Sequence, residues 1–287
     1  MSARKDMNIL KPSEIDVSKL TCSEVRQAGV QKAVYLNHGS GKGSLLVKPP
    51  EMDVKWDGGN WEPRPKNPTS GKYRVDVNMS GDSPEMPVFI EKMTEMDEYI
   101  KKMAKENSWA WFQKKSLSMD TIDNIYYPMV KVSVDKETGE PNGKYPPSLK
   151  FKVQQYDGEV QCRIFDSDKK ELNVNDPSKE DLVTIGIVRP FDEQMTIPHE
   201  GIFKKGVKVK LLLKCCGIWI GDGKFGCTWQ AMQIQVKNPP GLESYAFLDD
   251  SDEDEEGKND TDGLQGNFVD SSEEEDGELC RQVSVAQ

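Results

Sequence analysis

Alternation of apolar and polar residues predicts that this chain is built mainly of β-strands. The clearest case is residues 72–78, KYRVDVN, where Tyr73, Val75 and Val77 fall on one face and charged residues fall on the other. The same reasoning predicts further strands at 31–36, 44–48, 129–134, 149–154, 160–165, 182–188, 207–220 and 225–236. The last two are predicted to pair as one long hairpin with GDGK at its tip.

One segment, residues 86–106, has helical periodicity instead. Its apolar residues recur at the spacing of a single helix face, and they are Phe89, Met93, Met96, Ile100 and Met103. Strands, then one helix, then more strands are more typical of a small barrel with a packed helix than of alternating βαβ units. The predicted fold class is therefore mainly β with one packed helix.

The net charge of −11 is distributed unevenly along the 287 residues. Residues 249–287 contain fifteen Asp and Glu against two basic residues, a net charge of −13, which leaves +2 for residues 1–248. Like charges repel and this segment has hardly any aliphatic periodicity, so we expect it to be disordered. The predicted organisation is an N-terminal arm of uncertain order at 1–30, a folded domain at 31–248 and an acidic tail at 249–287.

Composition and motifs argue against a membrane protein, a metalloprotein and an enzyme. No apolar run approaches the ~18 residues of a membrane span, and the N-terminal residues lack the apolar region of a secretory signal, so an intracellular location is expected. The six cysteines show no C-x-x-C spacing, and we expect buried reduced thiols, no metal and no cofactor. Neither His38 nor His199 lies in a recognisable nucleophile–base arrangement, so the predicted function is not catalytic.

The stretch GDGKFG, residues 221–226, has the G-x-G-x-x-G spacing of nucleotide-binding loops. A dinucleotide loop opens a helix, but the residues that follow alternate as a strand, with Met232, Ile234 and Val236 on one face. A protein-kinase loop needs further motifs downstream, and too few residues remain. HGSGKG at 38–43 likewise lacks the P-loop pattern. Both glycine clusters are therefore predicted to be hairpin turns.

Basic residues alternate with apolar ones on several predicted strands, and six tryptophans lie beside basic or glycine-rich segments. Single-stranded nucleic acid is bound by lysines that follow its backbone and by aromatic rings that stack on its bases. The predicted backbone contacts are Arg74, Lys131, Lys150, Lys152, Lys208, Lys210 and Lys214. The predicted stacking rings are Trp56, Trp61, Tyr127, Trp219, Phe225 and Trp229. Trp109 and Trp111, at the end of the predicted helix, are expected to be buried.

The acidic tail has a role in this hypothesis. A flexible polyanion tethered beside a basic groove competes with DNA at high effective concentration, and it is free to bind basic partners once DNA fills the groove. Deleting it is expected to tighten DNA binding.

Four segments together carry a resemblance to a known family: KYRVDVNMS, NSWAWFQKKS, YYPMVKVSVDKETGEPNGKYPPSLKFKV and GIWIGDGKFGCTWQAMQIQV. They resemble the single-stranded DNA-binding proteins of large DNA viruses of algae and amoebae, which are similar to the OB-fold single-strand binders of podophages. The resemblance implies an elaborated OB-fold barrel, coating of single strands during replication, recombination or repair, and a tail that contacts a polymerase or helicase. It implies action in the host nucleus or a cytoplasmic virus factory, and it leaves a homodimer open.

Two alternatives remain at this stage. The first is an acidic-tailed chaperone of basic proteins such as histones, which would ignore oligonucleotides. The second is a nucleotide-dependent transferase that uses GDGKFG. Stabilisation by a dT oligomer, by ATP or by NAD distinguishes them, because a ligand stabilises the native state only if it binds.

Overall fold

The computed structural model describes residues 9–39, 44–56, 60–64, 67–172, 174–175, 203 and 205–237. Within these ranges, the side chains of residues 60, 61, 63, 64, 68 and 69 are not described. The chain divides into two units, Met1–Gly241 and Leu242–Gln287, and all described residues belong to the first. The predicted strand 182–188 and the predicted acidic tail lie outside the described residues.

Strands dominate the described part of the chain. In order they are β1 (Ile9–Leu10), β2 (Leu20–Cys22), β3 (Arg26–Ala28), β4 (Gln31–Val34), β5 (Leu36–His38), β6 (Leu46–Val47), β7 (Met52–Val54), β8 (Asn60–Arg64), β9 (Asn67–Asn78), β10 (Tyr126–Tyr127), β11 (Val130–Lys131), β12 (Ser148–Tyr156), β13 (Glu159–Val160), β14 (Arg163–Phe165), β15 (Glu171–Leu172), β16 (Lys208–Gly221) and β17 (Lys224–Lys237). The helices are α1 (Glu85–Glu106), α2 (Ser108–Phe112) and α3 (Met119–Ile125), with 3-10 turns at Pro12–Glu14 and Val17–Lys19. The prediction of a mainly β protein with one long helix is confirmed.

Five of the strands pair in a closed ring. β7 pairs with β9, β9 with β12, β12 with β17, β17 with β16, and β16 returns to β7. Only the β12–β17 pairing in this ring is parallel. A ring of paired strands leaves one face of each strand for the interior and the other for solvent.

The interior of the ring is filled by the apolar residues that alternate along each strand. The fully buried members include Val54, Val75, Val77, Leu149, Phe151, Val153, Val209, Leu211, Trp229 and Ala231. Helix α1 adds its apolar stripe to the same core through Phe89, Met93, Met96 and Ile100. Its predicted fifth member, Met103, is half-buried at the edge.

Two β-bulges interrupt the alternation of the long β16–β17 hairpin. The pairing register shifts between Leu212 and Leu213, and again between Cys215 and Gly217. Gly217 has a φ of +95°, and a Cβ there would lie 2.6 Å from the carbonyl oxygen of Val34. Glycine is therefore required by both its backbone conformation and the close approach of β4. The extra residue is Met232 of β17 at the first bulge and Cys216 of β16 at the second, and each bulge reverses the alternation of faces along its own strand.

The hairpin tip contains the predicted turn. Asp222 and Gly223 have φ values of 52° and 73°, and Gly221 pairs with Lys224 across them. Two consecutive residues with positive φ are the signature of a two-residue hairpin turn. GDGKFG thus joins two strands, and the prediction of a turn rather than a nucleotide loop is confirmed. Four residues of the other glycine cluster, 40–43 with Lys42, lie outside the described residues.

Other predicted strands are shorter or divided in the structure. The segment 31–36 is split into β4 and β5, 160–165 is split into β13 and β14, and 129–134 is reduced to β11. Residues 9–28 contribute three strands, which pair with β6, β5 and β4. None of the described helices is long and apolar enough to cross a membrane.

The cysteines of the described residues are free thiols. Cys162, Cys215 and Cys227 are buried, as predicted, whereas Cys22 and Cys216 are half-buried. The Sγ atoms of Cys215 and Cys227 lie 3.5 Å apart in the core.

Candidate nucleic-acid interface

The outward face of β9 and β12 presents a patch of basic side chains. The two strands are antiparallel, and their register places Arg74 opposite Lys152 and Asp76 opposite Lys150. Directly paired residues point to the same face, so these side chains are neighbours on the surface, while Val75 and Phe151 point into the core. The basic residues that alternate with apolar ones in the sequence therefore lie together on one outward face of the two strands.

This face forms the floor of a cleft with a volume of about 510 Å³. Six cationic side chains line it, and they are Lys72, Arg74, Lys131, Lys150, Lys152 and Lys224. Asp222 is the one carboxylate among the described lining residues. The cleft therefore has a strong excess of positive charge in a concave surface, which concentrates the electrostatic potential.

Two aromatic rings stand at one end of the cleft. The ring centroids of Tyr127 and Trp219 are 6.5 Å apart, and both side chains are half-buried and line the cleft. Gly226 is paired with each of them, on the neighbouring strands β10 and β16. A Cβ at Gly226 would lie 2.7 Å from the carbonyl oxygen of Tyr127 and 3.3 Å from the Trp219 ring. The last glycine of GDGKFG is therefore needed for the close packing of these two residues.

Carboxylates neutralise part of the positive charge. Glu62 on β8 lies 2.6 Å from Nε of Arg74 and 3.1 Å from Nζ of Lys72, and Asp76 lies 3.3 Å from Nζ of Lys150. In the described part of the chain, no carboxylate comes within 4 Å of Nζ of the other three cations, which are Lys131, Lys152 and Lys224. These three cations have no carboxylate partner among the described residues, and Glu62 is shared between two of the others.

Lys131 is coupled to the Tyr127 ring. Its Nζ lies 4.3 Å from the ring centroid and donates a hydrogen bond to the Tyr127 hydroxyl. Partial burial raises the pKa of Tyr127, but the hydrogen bond and the charges of Lys131 and Lys150 outweigh burial, so the pKa lies below its usual value. The ring is thus held beside a cation in a fixed orientation.

Three of the predicted backbone-contact residues lie outside the cleft. Lys214 is opposite Gln230, which is opposite Lys152, so it shares the outward face of the sheet two strands away. Lys208 and Lys210 are exposed on the far part of β16, opposite Lys237 and Gln235. The structure therefore groups Arg74, Lys131, Lys150 and Lys152 but does not bring the three lysines of β16 into the same cleft.

Trp56 is exposed at the end of β7, with 58% of its surface accessible. Nζ of Lys55 lies 5.4 Å from its ring centroid and 3.5 Å from Oγ of Ser148, which is paired with Lys131. Trp56 is therefore close to the cleft without lining it. Trp61 is paired with Tyr73 through its backbone, and its side chain lies outside the described residues.

Two predicted stacking residues are corrected by the structure, because Phe225 and Trp229 are buried in the core with 0% and 1% exposure. The Phe225 ring packs against those of Trp111, Phe112 and Tyr126. Both were predicted because they are aromatic residues close to the glycine-rich hairpin turn. The β-bulge at Met232, opposite Leu212 and Leu213, reverses the alternation of faces along β17, and both rings lie on its core side. Neither ring is accessible to a base.

Trp109 and Trp111, which lie in α2 just after α1, differ in their burial. Trp111 is buried, as predicted, but Trp109 is 61% exposed, so the expectation is wrong for Trp109. Residues two apart in a helix lie on roughly opposite sides, so only one of the two indole rings faces the core.

Several cleft residues were not among the predicted contacts. Lys72 and Lys224 line the cleft together with Gln31 and Thr228. Lys72 was visible as the basic neighbour of Arg74 on the same strand face. Gln31 carried no signal in the sequence, because the pairing of β4 with β16 and the packing of its side chain on Gly221 bring it to the cleft.

None of the His, Cys, Asp and Glu side chains of the described residues form a group of three or more that could hold a metal ion. His38 accepts a hydrogen bond from the backbone N–H of Asp16 through Nε2, and it does not line the cleft.

No protein-family model and no curated protein matches this sequence. Solved structures that align with the chain include the single-stranded DNA-binding protein of bacteriophage Enc34 in complex with single-stranded DNA, with 10% identity, a TM-score of 0.37, and coverage of 79% of this chain and 99% of that one. The C-terminally truncated Enc34 protein aligns with 10% identity, a TM-score of 0.37 and coverage of 78% and 98%. The gp2.5 single-stranded DNA-binding protein of bacteriophage T7 aligns with 12% identity, a TM-score of 0.39 and coverage of 71% and 92%.

These identities and TM-scores show only a distant similarity, which establishes neither the fold nor the function of this chain. All three are bacteriophage proteins, and the resemblance to viral proteins of algae and amoebae stays a prediction.

Proposed function

We propose that this chain is a non-catalytic single-stranded DNA-binding protein whose DNA lies in the cleft on the outward face of β9 and β12. One observation supports this most strongly: six cationic side chains and two accessible aromatic rings line a single open cleft. A polyanion with exposed bases needs both kinds of contact at once.

The chemistry of each contact follows from the geometry. Lys131, Lys152 and Lys224 have no carboxylate partner in the part of the chain that the structure describes, so their binding to phosphate groups breaks no ion pair there. Tyr127 and Trp219 offer the stacking surface, and each stacked base contributes about 1–3 kcal/mol. Neither contact depends on base identity, so the proposed binding tolerates any sequence.

The strand order supports an OB-fold barrel as the scaffold. In OB-folds, the face of the second and third strands, with the loops after the first and fourth strands, binds oligonucleotides. In the ring described above, the corresponding strands are β9 and β12, the loop after β7 contains Lys55 and Trp56, and the loop after β16 is Asp222–Gly223. The cleft lies where such a scaffold would place it.

The acidic segment 249–287 is proposed to regulate this site. Its net charge of −13 makes it a tethered competitor of DNA for a cleft with six cations. Once DNA displaces it, the segment is available to a replication protein such as a polymerase or helicase. The proposed role is to coat and protect single strands during replication, recombination or repair, in the nucleus or a virus factory of the host.

Titration of the protein into a fluorescently labelled dT oligomer at several salt concentrations tests the proposal. Each phosphate that is neutralised contributes about −0.7 to the slope of log affinity against log salt. The three lysines without carboxylate partners therefore predict a slope of at least about −2. An affinity that does not change between low and high salt would refute the proposal.

A pair of double variants locates the binding. Lys131→Ala with Lys152→Ala is expected to reduce the slope by about 1.4, because two contacts are lost. Lys102→Ala with Lys105→Ala removes the same charge from the exposed face of α1 and should leave the slope unchanged. Stabilisation by ATP or NAD but not by dT would favour the transferase, and histone binding without dT binding would favour the chaperone.

A further inference from the structure

Asp97 is the one charged residue in the buried stripe of helix α1. It is 5% exposed, four positions after Met93 and three before Ile100 on the same helix face. No basic side chain in the described part of the chain lies within salt-bridge distance of it. Lys101, whose positive charge acts on Asp97, is instead bridged to Glu98 at 2.7 Å and to Asp123 at 2.9 Å.

The hydrogen bonds that Asp97 accepts all come from one short segment, Tyr126 to Val130. The Tyr126 hydroxyl donates to Oδ1. The backbone N–H of Met129 lies 3.1 Å from Oδ1 and 3.2 Å from Oδ2, and that of Val130 lies 3.3 Å from Oδ2. A buried carboxylate without a cationic partner is stable only when such donors surround it.

The same segment lies along the cleft. Tyr127 lies inside the segment, and Lys131 follows it directly. Its strand pairing is short, with only two residues of β10 on β17 and two of β11 on β12. Further restraints include the packing of Tyr126 on Phe225, with 4.9 Å between ring centroids, and a 3.0 Å hydrogen bond from Trp229 Nε1 to Sδ of Met129.

We propose that Asp97 is a positioning residue for DNA binding, which acts by fixing the segment that presents Tyr127 and Lys131 to the cleft. The inference rests on the function proposed above. Asp97 touches no nucleotide itself: its carboxylate holds the Tyr126 hydroxyl and two backbone N–H groups on the core side, and the opposite side of the segment faces the DNA.

The ionised carboxylate is the form that can accept all of these hydrogen bonds. Burial raises the pKa of Asp97 to about 6, and the donors Tyr126, Met129 and Val130 oppose that rise. At pH 8 the group is therefore ionised. Asparagine has the same shape but replaces one acceptor oxygen with an NH₂ donor, which would face the N–H groups of Met129 and Val130.

The first test needs no DNA. Asp97→Asn is compared with Asp123→Asn, which removes the same charge from the exposed partner of Lys101 on α3. Hydrogen exchange at pH 8 should accelerate at the Met129 and Val130 amides in the first variant alone. Unchanged protection of these amides in Asp97→Asn would overturn the proposal, because the side chain would then contribute only packing.

The second test measures binding of a dT oligomer by the same variants at pH 8. Asp97→Asn should weaken affinity by about tenfold, the effect of losing hydrogen bonds to one charged group, and should reduce the quenching of tryptophan emission by DNA. Asp123→Asn should bind as the unaltered protein does. Equal affinity and equal quenching in both variants would overturn the proposal.

The two tests separate this inference from the function on which it rests. If the unaltered protein binds no dT oligomer, the proposed function fails, whereas the exchange experiment still decides whether Asp97 fixes the segment. Should Asp97→Asn not fold, Tyr126→Phe removes one of the hydrogen bonds and keeps the ring on Phe225. It should then accelerate exchange at Met129 and weaken binding severalfold, and a variant identical to the unaltered protein would overturn the proposal.

Discussion

The carboxylate of Glu62 competes with phosphate for two cations of the cleft, and its removal should strengthen DNA binding. Glu62 contacts Arg74 at 2.6 Å and Lys72 at 3.1 Å, and all three side chains are close to 40% exposed. Surface ion pairs of this kind contribute only about 0–1 kcal/mol to stability. Glu62→Gln is therefore expected to fold normally while it frees Arg74 and Lys72 for phosphate.

The expected gain follows from counterion release. One additional phosphate contact adds about 0.7 to the magnitude of the salt slope, which at 0.1 M salt is about fivefold in affinity, or about 1 kcal/mol. Two contacts would give at most about 25-fold. Titration of a labelled dT oligomer by fluorescence anisotropy between 50 and 300 mM salt measures both the affinity and the slope.

A matched control is available on β15. Glu171 forms a 2.5 Å ion pair with Arg163, is also exposed, and lies outside the cleft. Glu171→Gln makes the same charge change and releases one arginine, yet it should leave DNA affinity unchanged. Equal strengthening by both variants would show a general effect of net charge. Weaker binding by Glu62→Gln would contradict the assignment of Arg74 and Lys72 to the backbone.

Three further predictions concern the rings, the acidic segment and the buried carboxylate. Gly226→Ala should lower stability by about 1–3 kcal/mol and weaken dT binding, because the new Cβ would collide with the backbone of Tyr127. Thermal unfolding and titration measure the two effects, and unaltered binding would mean that Tyr127 does not contact DNA. Deletion of 249–287 should tighten dT binding severalfold at low salt, and an unchanged affinity would show that the segment does not compete. Burial raises the pKa of Asp97 from 3.8 to about 6, so protonated Asp97 stabilises the folded state relative to the unfolded state. This stabilisation, up to about 3 kcal/mol, is lost as pH rises from about 4 to above 6. Urea unfolding should show the decline in the unaltered protein and a flatter profile in Asp97→Asn.

Much of the basic face could be predicted because apolar and polar residues alternate without interruption along the paired parts of β9 and β12. On such strands every second residue faces outward, so Arg74, Lys150 and Lys152 were correctly placed on one surface. Helix α1 was predicted almost to its ends for a similar reason, since the buried residues of this 22-residue helix repeat at helical spacing.

The β16–β17 hairpin shows where the alternation rule stops working. The odd-numbered residues Val209, Leu211 and Leu213 face the core, and the same rule would have buried Trp219. The bulge at Cys216 reverses the faces, so Trp219 turns outward to the cleft while Ile218 and Ile220 turn inward. A glycine at position 217 is compatible with a bulge, but the sequence alone does not show its positive φ or the close approach of β4.

The positions of Gln31, Glu62 and Asp97 depend on contacts between elements far apart in the chain. Asp97 is a polar interruption of an apolar stripe, and in the sequence it resembles any exposed helix residue. Only the docking of residues 126–130, about thirty positions later, gives it partners. Such roles arise from tertiary packing and leave no local pattern.

Ultraviolet crosslinking of the unaltered protein to a dT oligomer, followed by peptide mass spectrometry, tests the central claim most directly. Exposure alone would favour Trp109, which is 61% accessible and lies outside the cleft, over the half-buried Tyr127 and Trp219. The account predicts crosslinks at Tyr127 and Trp219. Crosslinks at Trp109 with none at either ring of the cleft would contradict it.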